Sequence, residues 1–563
     1  MNLNLLKKSA IILTASVSIL SMPMAAEVAK FDALNYVPDN TAIFSGNLVP
    51  FSLKTYLNLN QTLFNIPKPE NFDEVFEYGK RMQKFGASIA NEYFETIGDT
   101  DKFMQRFGFA DDIRILFYTV DFSPVLKYEA ANPQAIIDIL DRAAEKTGFK
   151  AIDKISAGKK YKSYKPVQAS ANAPAFAVAI DDGWVTITLE YETTDNKHLE
   201  IALGGAKPNQ SFGQTDTLQK LNDKYEFDST QLLIINHEVI VDKITGTKPI
   251  DYITQEDWQG MADIQTPECR AEYASIAAAW PRTVAGNKSF SISENSYSSD
   301  SLLIIESTNQ TTNSNLMDMR GYIPHSISNV ADKIFSFALG INVDKLPTAL
   351  INMWADVMQT SYKCESLIEM QTNLAEANPA ILGAFTGMAQ GIMGISLDVY
   401  KADLDEASAQ PKLKTLDALL SLAAQNPAGQ LAMASLLAPG LALLALPEDG
   451  TPVDLNDYMI EADELGGITK IAAVGQHLNI FQGETAAKTS AGMKNESIDP
   501  NGLFSYYFNY SKFYDILQKV AELQNEPIPE QMQSLVGVDL EVEMGIDFSE
   551  NGIEFAVKLD LNK

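Results

Sequence analysis

The chain has 563 residues, 46 % of them hydrophobic and 21 % charged, the make-up of an ordinary soluble globular protein. It sets 43 Lys and Arg against 73 Asp and Glu, a formal net charge of −30. That surplus argues against binding DNA or RNA, whose phosphates must be neutralised by basic side chains. It argues equally against docking on anionic lipid by charge alone, and mainly keeps the chain soluble.

Residues 1–26 read as a secretory signal. Lys7 and Lys8 form its positive end, Ala10–Leu20 its apolar run, and Met24-Ala25-Ala26 a small-residue cleavage site before Glu27. The apolar run is too short for a permanent anchor. The expected mature protein is periplasmic or secreted, and its length calls for at least two domains.

The phrase that follows, Tyr36-Val37-Pro38-Asp39-Asn40-Thr41, leads into a first strand at Ile43. It resembles the opening of exported bacterial proteins of the uncharacterised DUF3352-like group, whose early (Y/L)xPxDT phrase has Asp where this chain has Asn40. The resemblance implies class and compartment. It supplies no catalytic residues.

Further along, Ile113–Val120 and Trp184–Tyr191 are rich in β-formers and predict strands, as does Gln231–Asn236. Pro133–Thr147 and Lys512–Gln524 predict helices. In the latter, Phe513, Ile516, Leu517, Val520 and Leu523 share one face. The chain closes on a predicted hairpin, alternating on both arms around Ser549-Glu550-Asn551-Gly552.

Five landmarks recur in the same order, which points to duplication. Tyr36-Val37-Pro38 is answered by Tyr322-Ile323-Pro324, and Ile43-Phe44-Ser45 by Ile334-Phe335-Ser336. A helical Leu-x-x-Ala-Ala appears at Leu140–Ala144 and Leu420–Ala424. A strand of pattern HLxIxxG appears at His198 and His477, and Ser-Glu-Asn at Ser293 and Ser549. The expected architecture is α+β: two tandem homologous modules, residues 30–308 and 309–563, each with an antiparallel or mixed sheet plus helices. The polar stretch Ser307–Asn315 would join them. A histidine present in both copies reads as scaffold, since no Ser, Asp or Cys recurs beside it to complete a catalytic set.

Catalytic and metal motifs do not assemble. Asp547-x-Ser549-x-Asn551-Gly552 begins like a calcium loop, but its twelfth residue is Lys558 where the ion needs a carboxylate. Ser156-Ala-Gly-Lys159 has the S-x-x-K spacing of serine acyl-enzymes, yet Lys146-Thr147-Gly148 precedes it instead of following. No cofactor or metal site is expected. Cys269 and Cys364, the only cysteines, form one disulfide or stay as two buried thiols; a bridge would be worth at most ~4–5 kcal/mol in the chain-entropy model.

The anomaly lies in the second module. Ala377–Leu397 and Ala418–Pro447 contain no charge. In the first, Gly383, Gly387 and Gly391 repeat every four residues, a stripe that would let another backbone approach a helix. The candidate apolar contact residues are Gly383, Phe385, Gly387, Met388, Gly391 and Ile392, with Leu431, Met433, Leu436, Leu437, Leu441 and Leu444 from the second segment. Three readings compete: a buried helical hairpin, a groove or lid for a lipid-like ligand or an envelope protein partner, and a peripheral membrane contact. The expected function is therefore binding or structural. The alternatives are a lipid or hydrophobic-ligand binding or transfer protein and a hydrolase whose site is scattered along the chain.

Overall fold

The structure, a computed structural model, describes residues 31–63, 81–167, 174–191, 196–250, 258–405, 412–436, 438–458, 465–528 and 537–562. The signal-like segment 1–26 and Leu437 lie outside them. The chain divides into two compact units, Met1–Leu302 and Leu303–Lys563. Each is α+β, with an antiparallel sheet and helices on its faces.

The N-terminal unit contains β1 (Ile43–Gly46), β2 (Ile115–Val120), β3 (Ser123–Glu129), β4 (Phe149–Ser156), β5 (Lys159–Pro166), β6 (Ala175–Asp181), β7 (Trp184–Glu190), β8 (Leu232–Asn236), β9 (Arg282–Ile292) and the first part of β10 (Ser296–Glu306), within which the unit ends at Leu302. The helices that matter below are α1 (Gln134–Thr147), α2 (Lys197–Ala202), α3 (His237–Ile244) and α4 (Pro267–Ala279). Antiparallel pairing runs β4-β5-β6-β7-β3-β2-β1-β8-β9. One face of this sheet is the core, where Phe44, Leu116, Tyr118, Val125, Ala177 and Leu232 are fully buried.

The C-terminal unit contains β11 (Phe335–Leu339), β12 (Ile392–Leu404), β13 (Leu413–Ala424), β14 (Lys470–Val474), β15 (His477–Gln482), β16 (Phe504–Asn509), β17 (Asp539–Ser549) and β18 (Gly552–Asn562). Its helices include α5 (Leu346–Gln359), α6 (Leu382–Thr386), α7 (Pro427–Ala434), α8 (Glu484–Gly492) and α9 (Tyr510–Gln524). Pairing runs β14-β15-β13-β12-β11-β16-β17-β18, again antiparallel. Strand for strand, β14 to β17 repeat the order β6-β7-β3-β2-β1-β8-β9. In both units the strand beside the first ends in an asparagine that caps the next helix. Asn236 Oδ1 accepts from the Val239 N–H at 3.2 Å, and Asn509 Oδ1 from the Lys512 N–H at 2.9 Å.

The short sequence matches correspond less well than the topology. Leu140–Ala144 is helical in α1, but Leu420–Ala424 belongs to β13, where Leu419, Ser421 and Ala423 are buried in strict alternation. His198 lies on α2 and His477 on β15. The stretch after Asn196 buries His198, Leu199, Ile201 and Ala202, a helical spacing, before Gly204 ends it at φ +78°. The Ile-Phe-Ser matches are offset by one residue: Asn236 N–H bonds the Ala42 carbonyl and Asn509 N–H the Ile334 carbonyl. Phe44 thus faces the core, whereas Phe335 faces the opposite side of its sheet. The expected polar linker also differs, since most of it forms the helix Gln310–Asp318 capped by Asn309.

Candidate functional site

On the outer face of the C-terminal sheet, cross-strand neighbours form three continuous apolar rows over six strands. One row reads Leu420, Leu397, Phe337, Tyr506, Met544, Val557 from β13 to β18. A second reads Leu422, Ile395, Leu339, Phe504, Ile546, Phe555, and a third Ala418, Val399, Phe335, Phe508, Val542, Leu559. Not one of these side chains is fully buried. Met544 is 44 % exposed, Ile395 39 %, Leu420 and Val557 37 %. The rings interlock as an aromatic ladder: Phe335 and Tyr506 centroids lie 5.6 Å apart, and Phe337 and Phe504 5.7 Å.

Helix α9 lies against this face, with the Phe513 ring 5.0 Å from Phe508. Its apolar stripe of Phe513, Ile516, Leu517, Val520 and Leu523 is as predicted, yet no residue of the helix is buried. Two apolar surfaces therefore confront each other and neither is closed off from solvent.

Of the residues singled out from sequence, several only border this surface. Leu431 and Leu444 are buried in a cluster with Leu455, Ile471 and Leu478, against which Leu441 and Leu422 pack. The Leu-rich segment therefore covers the β14–β15 side of the same sheet face. Met433 is half-buried, whereas Leu436 is 67 % exposed. The two uncharged segments do not form a helical hairpin. They run into β12 and β13, which pair with each other.

The glycine stripe does not form either. Gly383 lies in α6, as does Phe385; Gly387 and Met388 lie in the short 3-10 turn Gly387–Ala389. A Cβ added to Gly383 or Gly387 would meet nothing within 4 Å, so no backbone approaches there. Gly391 is outside the helix, at φ +79° just before Ile392 opens β12, with its N–H donated to Asp344 Oδ1 at 3.0 Å. The run is too short to sustain a helical face, because β12 claims its C-terminal end.

In the core, unit two places Lys333 and Asp398 together at 2.6 Å, each side chain only 1 % exposed. Asp398 also accepts from Ser336 Oγ at 2.6 Å, and Lys333 Nζ donates to the Ser326 carbonyl at 2.6 Å. Burial pushes the Lys333 amine below its usual pKa, against the pull of Asp398. No solvent reaches this network, so it braces the fold rather than meeting a substrate. In unit one the buried Lys127 has a different setting. Its Nζ lies 5.4 Å from the Tyr36 ring and 5.9 Å from the Trp184 ring, and burial lowers its pKa to about 8.

The histidine question resolves in the same region. Trp184 and His477 each open the strand after the corresponding turn, in β7 and β15. Tyr322 sits 5.6 Å from His477, while Tyr36 and Trp184 flank Lys127. The counterpart of His477 is therefore Trp184, not His198. His477 is fully buried, and its burial depresses its pKa while the charge of Glu496 opposes the shift.

His198 instead lines a cleft of about 720 Å³ in the N-terminal unit, with the Pro38–Ala42 loop, the β2–β3 turn, α2 and α3. Among the described residues its lining contains no serine or cysteine, and Thr41 Oγ1 is engaged with the Thr119 carbonyl at 2.9 Å. The S-x-x-K sequence is the β4–β5 turn, with Ala157 and Gly158 at positive φ and Lys159 paired to Asp181. Asp547 of the calcium-like sequence is held by Arg320 through two contacts of 2.7 Å. Cys269 and Cys364 are each 1 % exposed, and neither is free. Among the described residues no helix is long and apolar enough to cross a membrane, and no cluster of three His, Cys, Asp or Glu is placed to hold a metal.

No family model matches the chain, and no curated protein does. Two crystal forms of TP0453 are similar at 10 and 11 % identity, covering 50 and 49 % of this chain and 80 % of that one, with TM-scores of 0.21 and 0.23. Scores this low do not establish a shared fold.

Proposed function

We propose that the protein is an exported binding protein whose C-terminal unit takes an apolar ligand, an acyl chain, between α9 and the outer sheet face. The observation that carries this reading is the set of three apolar rows left half-exposed beneath an amphipathic helix that buries none of its own residues. Soluble proteins rarely leave so continuous an apolar surface open without a use for it. The rows offer almost no hydrogen-bonding group, so recognition rests on burial, and covering a further ~200 Å² would contribute about 5 kcal/mol. The strongly acidic chain disfavours an anionic bilayer as the occupant. The same surface would serve an envelope protein partner only if that partner presented a comparably apolar segment.

Titration with a fluorescent polyene fatty acid tests this. Met544→Asp and Leu420→Asp place a charge at exposed positions of the rows and are expected to weaken binding about tenfold or more. Glu543→Gln, on the opposite face of β17, should leave it unchanged. Wild-type protein that fails to bind the probe, or Asp variants that bind as well, would refute the reading. Export has its own check: N-terminal sequencing of protein from the periplasmic fraction should begin at Glu27.

A further inference from the structure

We propose that the cleft of the N-terminal unit is a second, separate binding site, for a small polar molecule bearing a phosphate or carboxylate group. Its volume of about 720 Å³ is that of a small-molecule site. In a chain with 30 more acidic than basic residues, this cleft gathers Lys197, Lys243 and Lys248 on its lining. A smaller recess of about 160 Å³ shares Lys243 and Lys248 and adds Arg270.

Among the described residues, two of the three carboxylates that line the cleft and the recess are paired. Asp121 pairs with Lys243, and Asp242 with Arg270 at 2.5 Å. Lys248 has no ion pair among the described residues, which leaves its charge available to a ligand. Asp39, the remaining lining carboxylate, would accept from a hydroxyl or ammonium on the ligand's body, beside the amides of Asn40, Asn209 and Gln210. The anion would thus sit at the lysine side and its polar body at the amide side.

The site is also preformed. Thr41 and Thr119 are tied by reciprocal bonds: Thr119 N–H donates to Thr41 Oγ1 and Ala42 N–H to Thr119 Oγ1, both at 3.0 Å. These bonds fix the entry loop to β2. The turn that follows holds two non-glycine residues, Asp121 and Phe122, at φ 49° and 71°, a conformation kept only where its surroundings impose it.

Calorimetry on the full chain would use inorganic pyrophosphate, citrate and uncharged maltose. Either anion is expected to bind at millimolar concentration or below, more weakly as salt rises. Lys248→Ala should weaken it about tenfold, equivalent to about 1.4 kcal/mol. Lys220→Ala, outside the cleft in the helix Thr217–Tyr225 and paired with its N-cap residue Asp216, should not. Pyrophosphate alone binding would assign a phosphate ligand, and citrate alone a carboxylate. Maltose binding without either anion, no binding of any probe, or a Lys248→Ala variant that binds like wild type would overturn the proposal. Fatty-acid binding by the C-terminal unit would be unaffected in every case.

Discussion

At the scale of single residues, buried charge makes the sharpest predictions. Removing Lys333 leaves Asp398 charged in the core. Lys333→Met is therefore expected to cost about 3–5 kcal/mol by urea denaturation, while the double variant Lys333→Met/Asp398→Leu recovers most of it. Lys127 has the opposite sign. Its folded pKa of about 8 lies below the ordinary 10.5, so the folded state is penalised while the amine is protonated in both states. Stability is greatest above the unfolded value and falls as pH drops from about 10.5 to about 8. Lys127→Met should raise stability at neutral pH by as much as about 3 kcal/mol and flatten that slope. His477 behaves alike in its own window. Its lowered pKa means that stability is full above about 6.5 and is lost as pH falls below it. His477→Phe should remove that acid-side slope, and an unchanged slope would show that another group is responsible.

At the scale of elements, the glycines of the second unit separate local propensity from packing. Gly383→Ala and Gly387→Ala meet open space, so thermal melts should show them neutral or stabilising by up to about 1 kcal/mol. Gly391→Ala forces a side chain into the left-handed region and should destabilise by about 1 kcal/mol or more. Tight packing against the stripe would give the reverse order. This is also where sequence reading fell short. Alternation placed the β17–β18 hairpin, and the 3.6-residue period placed α9, because each is long and one-sided. The uncharged segments supply Ile395, Leu397, Ala418, Leu420 and Leu422 to the apolar rows, while the other row residues alternate with buried or charged ones along strands outside those segments. Tyr506 and Met544 become neighbours only through strand pairing, which no local window contains. His198 was misplaced on a strand because the short stretch Leu199-Glu200-Ile201-Ala202-Leu203 fits either period, and tertiary burial decides between them.

At the scale of the whole molecule, the two units share strand order and helix capping while their inner faces have diverged. Where unit one pairs Phe44 with Tyr118, unit two pairs Ser336 with Asp398 and adds Lys333. At the same place in the strand order, one unit thus has an apolar core pair and the other a polar brace. Neither cysteine is free, so thiol titration of the unfolded, unreduced chain should find no thiol, and two free thiols would contradict it. The most direct measurement uses a diazirine-bearing fatty acid, photo-crosslinked to the purified protein and mapped by mass spectrometry. The account predicts labelled peptides from β11, β16, β17 and α9. Label confined to the N-terminal unit, or spread without preference, would contradict it.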